Sequence, residues 1–148
     1  MKYNKRIHHT DIFSTILGAA NIEPPKEITI DGVNLIPFLT NEKRGEPHET
    51  LYWKNVTYQA IIHDNWKLMR SKYPKEKEYL YNLEKDPYEQ NNLALSEPEI
   101  KILLHEKLNT HIESMPEPSW PQSVFMPVVI DKPQTEYKEG DELIYWPN

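Results

Sequence analysis

The chain has 148 residues, a formal net charge of −6, no cysteine, 13 prolines and only 4 glycines. That excludes a disulfide framework, a thiolate zinc site, a cysteine nucleophile and a cysteine oxidisable to a formyl group, and it leaves no glycine-rich dinucleotide or P-loop motif. Scattered basic residues speak against a nucleic-acid footprint, no run approaches the roughly 18 apolar residues of a membrane span, and at 38% hydrophobic the chain has a thin core for its length, so part of it is expected to lie on something else.

Residues 1–6 are basic, but no apolar segment follows them, so no signal peptide is read there. Ile12, Phe13, Ile16, Leu17 and Ala20 then fall on one face of a helix. Thr10 or Asp11 is suited to cap its first amides, Asn21 suits a left-handed residue at its end, and Pro24-Pro25 blocks continuation. Residues 28–35 read as extended with a turn at Asp31-Gly32. Leu51-Tyr52-Trp53, the run 57–62, Trp66-Lys67-Leu68-Met69 and the run 78–83 are strand candidates rich in β-formers, with Asp64-Asn65 as a tight hairpin turn. Ser96-Glu97-Pro98-Glu99 has the form of a capping box with proline in the first turn. Ile100, Leu103, Leu104, Leu108 and Ile112 continue it as an apolar stripe that would cover the sheet. A proline-rich tail follows from 116 and is expected to wrap over a surface. The fold class is α+β: a small antiparallel sheet of about four strands packed against a C-terminal amphipathic helix, with an N-terminal helix.

Candidate chemistry is sparse. His8-His9-x-Asp11 offers metal-type ligands, but a structural site needs a third and fourth with no evident source, and a helix cap with solvated imidazoles is the plainer reading. His105 is expected to face water. The carboxylate pairs Glu76/Glu78, Glu84/Asp86 and Asp141/Glu142 sit in charged contexts where solvation is ordinary, and no Ser lies in a nucleophile elbow. The 4 Trp and 9 Tyr combine apolar bodies with hydrogen-bonding edges, as sugar-binding surfaces and sheet cores both do.

Three stretches in fixed order are more specific. The run 11–17, then Ala20-Asn21-Ile22, then the run 31–39 resembles the sulfatase pattern D-[IL]-x-P-T-[IL]-L…A-G-I…D-G-x-[SN]-L-x-P-x-L. The run 60–68 is similar to the hairpin A-[IV]-R-x-G-x-W-K-[LY] of the same family. Leu80-Tyr81-Asn82-Leu83-Glu84-Lys85-Asp86-Pro87-Tyr88-Glu89-Gln90-Asn91-Asn92-Leu93-Ala94 resembles its L-Y-[DN]-L-x-x-D-P-x-E-x-x-N-L-A segment. Ser14 stands in place of the usual proline, Asn21 in place of glycine, Ile62 in place of arginine and Asp64 in place of glycine.

The resemblance implies the C-terminal region of a sulfatase-like hydrolase of the arylsulfatase type, in the alkaline phosphatase superfamily. Residues 1–45 would end the large α/β domain, 46–115 would form the C-terminal antiparallel sheet plus helix, and 116–148 the tail. In that family the formylglycine precursor and the ligands of the divalent cation, usually calcium, lie upstream. No catalytic residue, metal ligand or cofactor is therefore assigned to this chain, which is expected to be silent alone. The parent reaction would be sulfate-ester hydrolysis, with sulfated carbohydrate as a candidate substrate. The expected partner is a large sulfatase α/β domain, in the same or another chain, with a sulfated glycan as a possible ligand and neither nucleic acid nor membrane. His48, Trp53 and His63 are the candidates for substrate contact. The family is usually exported. The alternatives are a related phosphoryl or sulfuryl hydrolase and a free-standing carbohydrate-binding or interaction module.

Overall fold

The computed structural model describes residues 3–55, 58–71 and 76–116, so the proline-rich tail beyond 116 lies outside the described residues. The chain divides between Leu51 and Tyr52 into two units.

In the first unit, helix α1 (Asp11–Ala20) ends on Asn21 in the left-handed conformation, φ 54°. The Ile22 amide closes back on the Leu17 carbonyl at 2.9 Å, which satisfies carbonyls the helix end would orphan. Thr10 makes no side-chain capping bond. The apolar face foreseen for α1 exists, but it is not buried: Ile12, Phe13 and Ile16 are 62%, 54% and 61% exposed. The face turned inward carries Asp11, Ser14 and Thr15, spaced at three and four residues as one side of a helix requires.

That polar stripe stitches α1 to the extended segment 31–35. Ser14 Oγ donates to the Gly32 carbonyl at 2.8 Å, and the Val33 and Leu35 amides donate to Asp11 Oδ1 (2.9 Å) and Thr15 Oγ1 (3.0 Å). Gly32 is dictated by close approach, because a Cβ there would lie 2.1 Å from the Thr10 carbonyl oxygen. Helix α2 (Ile36–Leu39) follows, and Leu35 and Phe38 are the buried apolar residues beside it.

Four strands, β1 (Thr50–Lys54), β2 (Tyr58–His63), β3 (Trp66–Ser71) and β4 (Lys77–Asn82), form an antiparallel sheet in the order β1-β2-β3-β4. The β2–β3 turn falls on Asp64-Asn65, with Asp64 at φ 50°, a conformation short polar side chains tolerate. The register aligns three rows on one face: His63–Trp66–Asn82, Ile61–Leu68–Leu80 and Gln59–Arg70–Glu78. Helix α3 (Pro98–Ser114) lies over this face, and its fully buried Leu104 and Leu108 complete a cluster with Ile61, Leu68, Leu80 and Ala94. Leu103 is 44% exposed, so it drops out of the foreseen stripe. The capping box does not form: Glu97 is the N-cap without a side-chain bond, and Ser96 Oγ turns back to the Leu93 carbonyl at 3.3 Å. Pro98 does occupy the first turn.

The polar residues of the segment 80–94 build its turns. Asn82 Oδ1 accepts the Glu84 and Lys85 amides, and Asp86 Oδ2 accepts the Asn91 amide at 2.7 Å. Asn92 Oδ1 accepts the Leu80 and Ala94 amides, while its Nδ2 donates to the Glu78 carbonyl. The most distinctive run of the sequence is thus architecture: it folds the chain along β4 and delivers it to α3.

Candidate functional site

Asp11 is the charged centre of the first unit. Its side chain is fully buried. It accepts the His8 amide at 2.7 Å and the Val33 amide at 2.9 Å, and His48 Nε2 reaches its two oxygens at 2.8 and 2.9 Å. Burial works to raise its pKa, but the amides of His8 and Val33 and the His48 bond overcome it and hold the carboxyl below its ordinary value. His8 is shifted down by burial, with His9 and His48 adding to the effect and Asp11 opposing it. Lys5 Nζ, 2.8 Å from Glu46, adds an ion pair that holds the Glu46 carboxyl low. The His8-His9-x-Asp11 run therefore acts through Asp11, which ties together segments 22 and 37 residues away in sequence.

His48 is accordingly placed on Asp11, with its side chain only 10% exposed. Trp53 stands on β1 and is 38% exposed. His63 ends β2, its Nε2 3.7 Å from the Asp64 carboxylate. β1 and β2 join around Asn55, whose amide donates to the Tyr58 carbonyl at 2.8 Å. Trp53 therefore lies near that connection and His63 at the far end of β2, so the structure does not bring these two together.

The polar row Gln59–Arg70–Glu78 is a second cluster, and sequence reasoning missed it. Arg70 Nε donates to Gln59 Oε1, and Nη1 makes a long bond of 3.4 Å to His105 Nδ1. His105 Nε2 lies 2.6 Å from Glu78 Oε1, and Lys101 Nζ lies 3.3 Å from the same carboxylate. Contrary to expectation, His105 does not face water; it closes α3 onto the sheet. The available signal was phase: Gln59 and Arg70 share the alternation of Ile61 and Leu68, so they must point toward the helix. Beside this row opens a cleft of about 710 Å³, lined by Arg70, Lys77, Lys101 and Leu95 among others.

A four-stranded antiparallel sheet closed by one helix, preceded in the chain by a helix with an exposed apolar face, defines an α+β module. The model of the family described as "N-sulphoglucosamine sulphohydrolase, C-terminal" matches residues 1–117, and the chain belongs to that family. It is a sulfatase C-terminal region. The uncharacterized sulfatase YdeN of Escherichia coli (strain K12) is 47% identical over 51 residues, which cover 34% of this chain and 9% of that protein. Among solved structures, that of Ps i-CgsB gives a TM-score of 0.64 at 18% identity, over 80% of this chain and 27% of that one. The structure of BT4656 in complex with its substrate D-glucosamine-2-N,6-O-disulfate gives 0.52 at 23% identity, over 74% and 25%. These two share the fold, and this chain spans about a quarter of their length.

Among the described residues no group of three or more His, Cys, Asp or Glu side chains could hold a metal ion. Asp11, the most buried carboxylate, already accepts two amides and His48. The sequence holds no C/S-x-P-S-R run, whose cysteine or serine is the family's formylglycine precursor.

Proposed function

We propose that this chain is the C-terminal part of a sulfuric-ester hydrolase acting on sulfated carbohydrate, and that it is silent until joined to a larger α/β domain supplying the nucleophile and the divalent cation. The observation that carries the reading is the family match over residues 1–117 of a chain with no cysteine. The substrate bound to BT4656, a disulfated glucosamine, supports a sulfated sugar as the substrate class. The decisive test is to assay the pure chain with an aryl sulfate and calcium. No turnover is expected, and clear turnover overturns the reading.

The outward face of α1 supports the same partner. Ile12, Phe13 and Ile16 present contiguous apolar side chains, while the helix meets its own unit through polar groups. An apolar face on one side of a short helix is stabilised only when something covers it, and a sulfatase α/β domain is the occupant the family relationship suggests. Phe13→Glu is expected to change the stability of the isolated chain by no more than about 0.5 kcal/mol, since the ring is exposed. The same change should weaken co-purification with an α/β domain expressed as a separate chain. Undiminished assembly would count against this assignment of the face.

A further inference from the structure

We infer that the cleft beside the Gln59–Arg70–Glu78 row is a second saccharide site, which takes the sulfate group of a sulfated sugar against Arg70 and Lys101. The inference rests on the proposed function for the class of sugar and on the cleft itself for its place. Arg70 is half-buried; its Nε donates to the neutral amide oxygen Gln59 Oε1, and its Nη1 lies 3.4 Å from His105 Nδ1. Among the described residues no carboxylate forms an ion pair with it. Glu78, its cross-strand neighbour, is directed instead to His105 and Lys101. A guanidinium oriented by an amide oxygen is held without being neutralised, and it lines a cavity.

The other requirements are met in the same place. The cleft's volume of about 710 Å³ falls within the roughly 300–1,000 Å³ usual for small-molecule sites. Its wall sets the cations Arg70, Lys77 and Lys101 beside the carboxylates Glu76 and Glu78, with an apolar patch at Ala94 and Leu95, the latter 95% exposed. That mixture suits a sugar ring with one apolar face and anionic substituents. Lys101 can turn toward a sulfate at small cost, because its 3.3 Å pair with Glu78 is partly exposed. Glu78 keeps its shorter bond to His105 and so remains in place beneath α3. Arg70, with its planar fork of donors, is suited to a tetrahedral oxyanion in a way Lys is not.

The test is calorimetric titration of the 148-residue chain with D-glucosamine-2-N,6-O-disulfate, with glucosamine and with inorganic sulfate. The disulfate is expected to bind at least about tenfold more tightly than either control, with an affinity that falls as salt rises. Arg70→Met and Lys101→Met should each weaken it about tenfold, and Arg70→Lys should recover part of the loss. Circular dichroism melts confirm that each variant is folded, and Lys101→Met, at a partly exposed position, serves if Arg70→Met is not. Equal binding of glucosamine, equal binding of inorganic sulfate, or unchanged affinity in the variants overturns the inference. Aryl sulfate turnover by the chain alone, which would overturn the proposed function, leaves these affinities readable.

Discussion

Asp11→Ala is expected to lower the stability of the first unit by about 3–5 kcal/mol, the range for removing one partner of a buried pair. The carboxylate is fully buried, and its loss strands the His8 and Val33 amides together with His48 Nε2. Each stranded donor forfeits its partner where water does not readily replace it. Asp11→Asn keeps the shape and one acceptor oxygen, so its cost should be smaller. Denaturant midpoints of the two variants check the order; equal midpoints, or a cost below about 1 kcal/mol for the alanine variant, would show that Asp11 does not hold the unit.

The same residue sets a pH dependence whose sign follows from its shift. Its folded pKa lies below the ordinary carboxylate value of about 3.9, so the folded state binds the proton less readily than the unfolded chain. The stabilisation is therefore complete above the unfolded value and is lost as pH falls through the lower, folded one. Wild type should hold its melting temperature from neutral pH down to about 4 with respect to this group and lose it below. Asp11→Asn should flatten that acid limb.

How far the sequence revealed these features depends on the distance over which each is decided. The helix over 11–20 with its Asn21 stop, the Asp64-Asn65 turn, the four strands and the inward Leu104 and Leu108 of α3 are local patterns, and these appear in the structure. The covering of α1 is not local. Periodicity finds an apolar face but does not say what lies against it, and here the unit is joined through Ser14, Thr15 and Asp11 instead. Ser14, a departure from the family's proline, contributes a hydroxyl bond to Gly32 that proline lacks the group to make. His105 meets the same limit: its partner Glu78 stands on a strand, and only the β3–β4 register brings it under α3. Candidate site residues were the least legible, because Asp11 has its partners 22 and 37 residues away.

Leu68→Ala should be the most damaging single change in the sheet, at about 2–5 kcal/mol. Leu68 is wholly buried and paired with Ile61 on one side and Leu80 on the other, in a cluster that α3 closes with Leu104 and Leu108. Truncation removes the transfer energy of its methyl groups and opens a cavity walled by two strands and a helix. The sheet register holds those walls apart, so little collapse is available to fill the space. Leu68→Met conserves volume and should cost less than about 1.5 kcal/mol. Along α3 the contrast between neighbours is the sharper check: Leu104→Ala should fall in the same range of about 2–5 kcal/mol, while Leu103→Ala, at a 44% exposed position, should cost well under half as much. Urea midpoints measured on the three alanine variants decide the matter. A Leu103 penalty equal to that of Leu104 would mean that the helix presents a different face to the sheet, and with it the placement of Lys101 and His105 over Glu78 would fail.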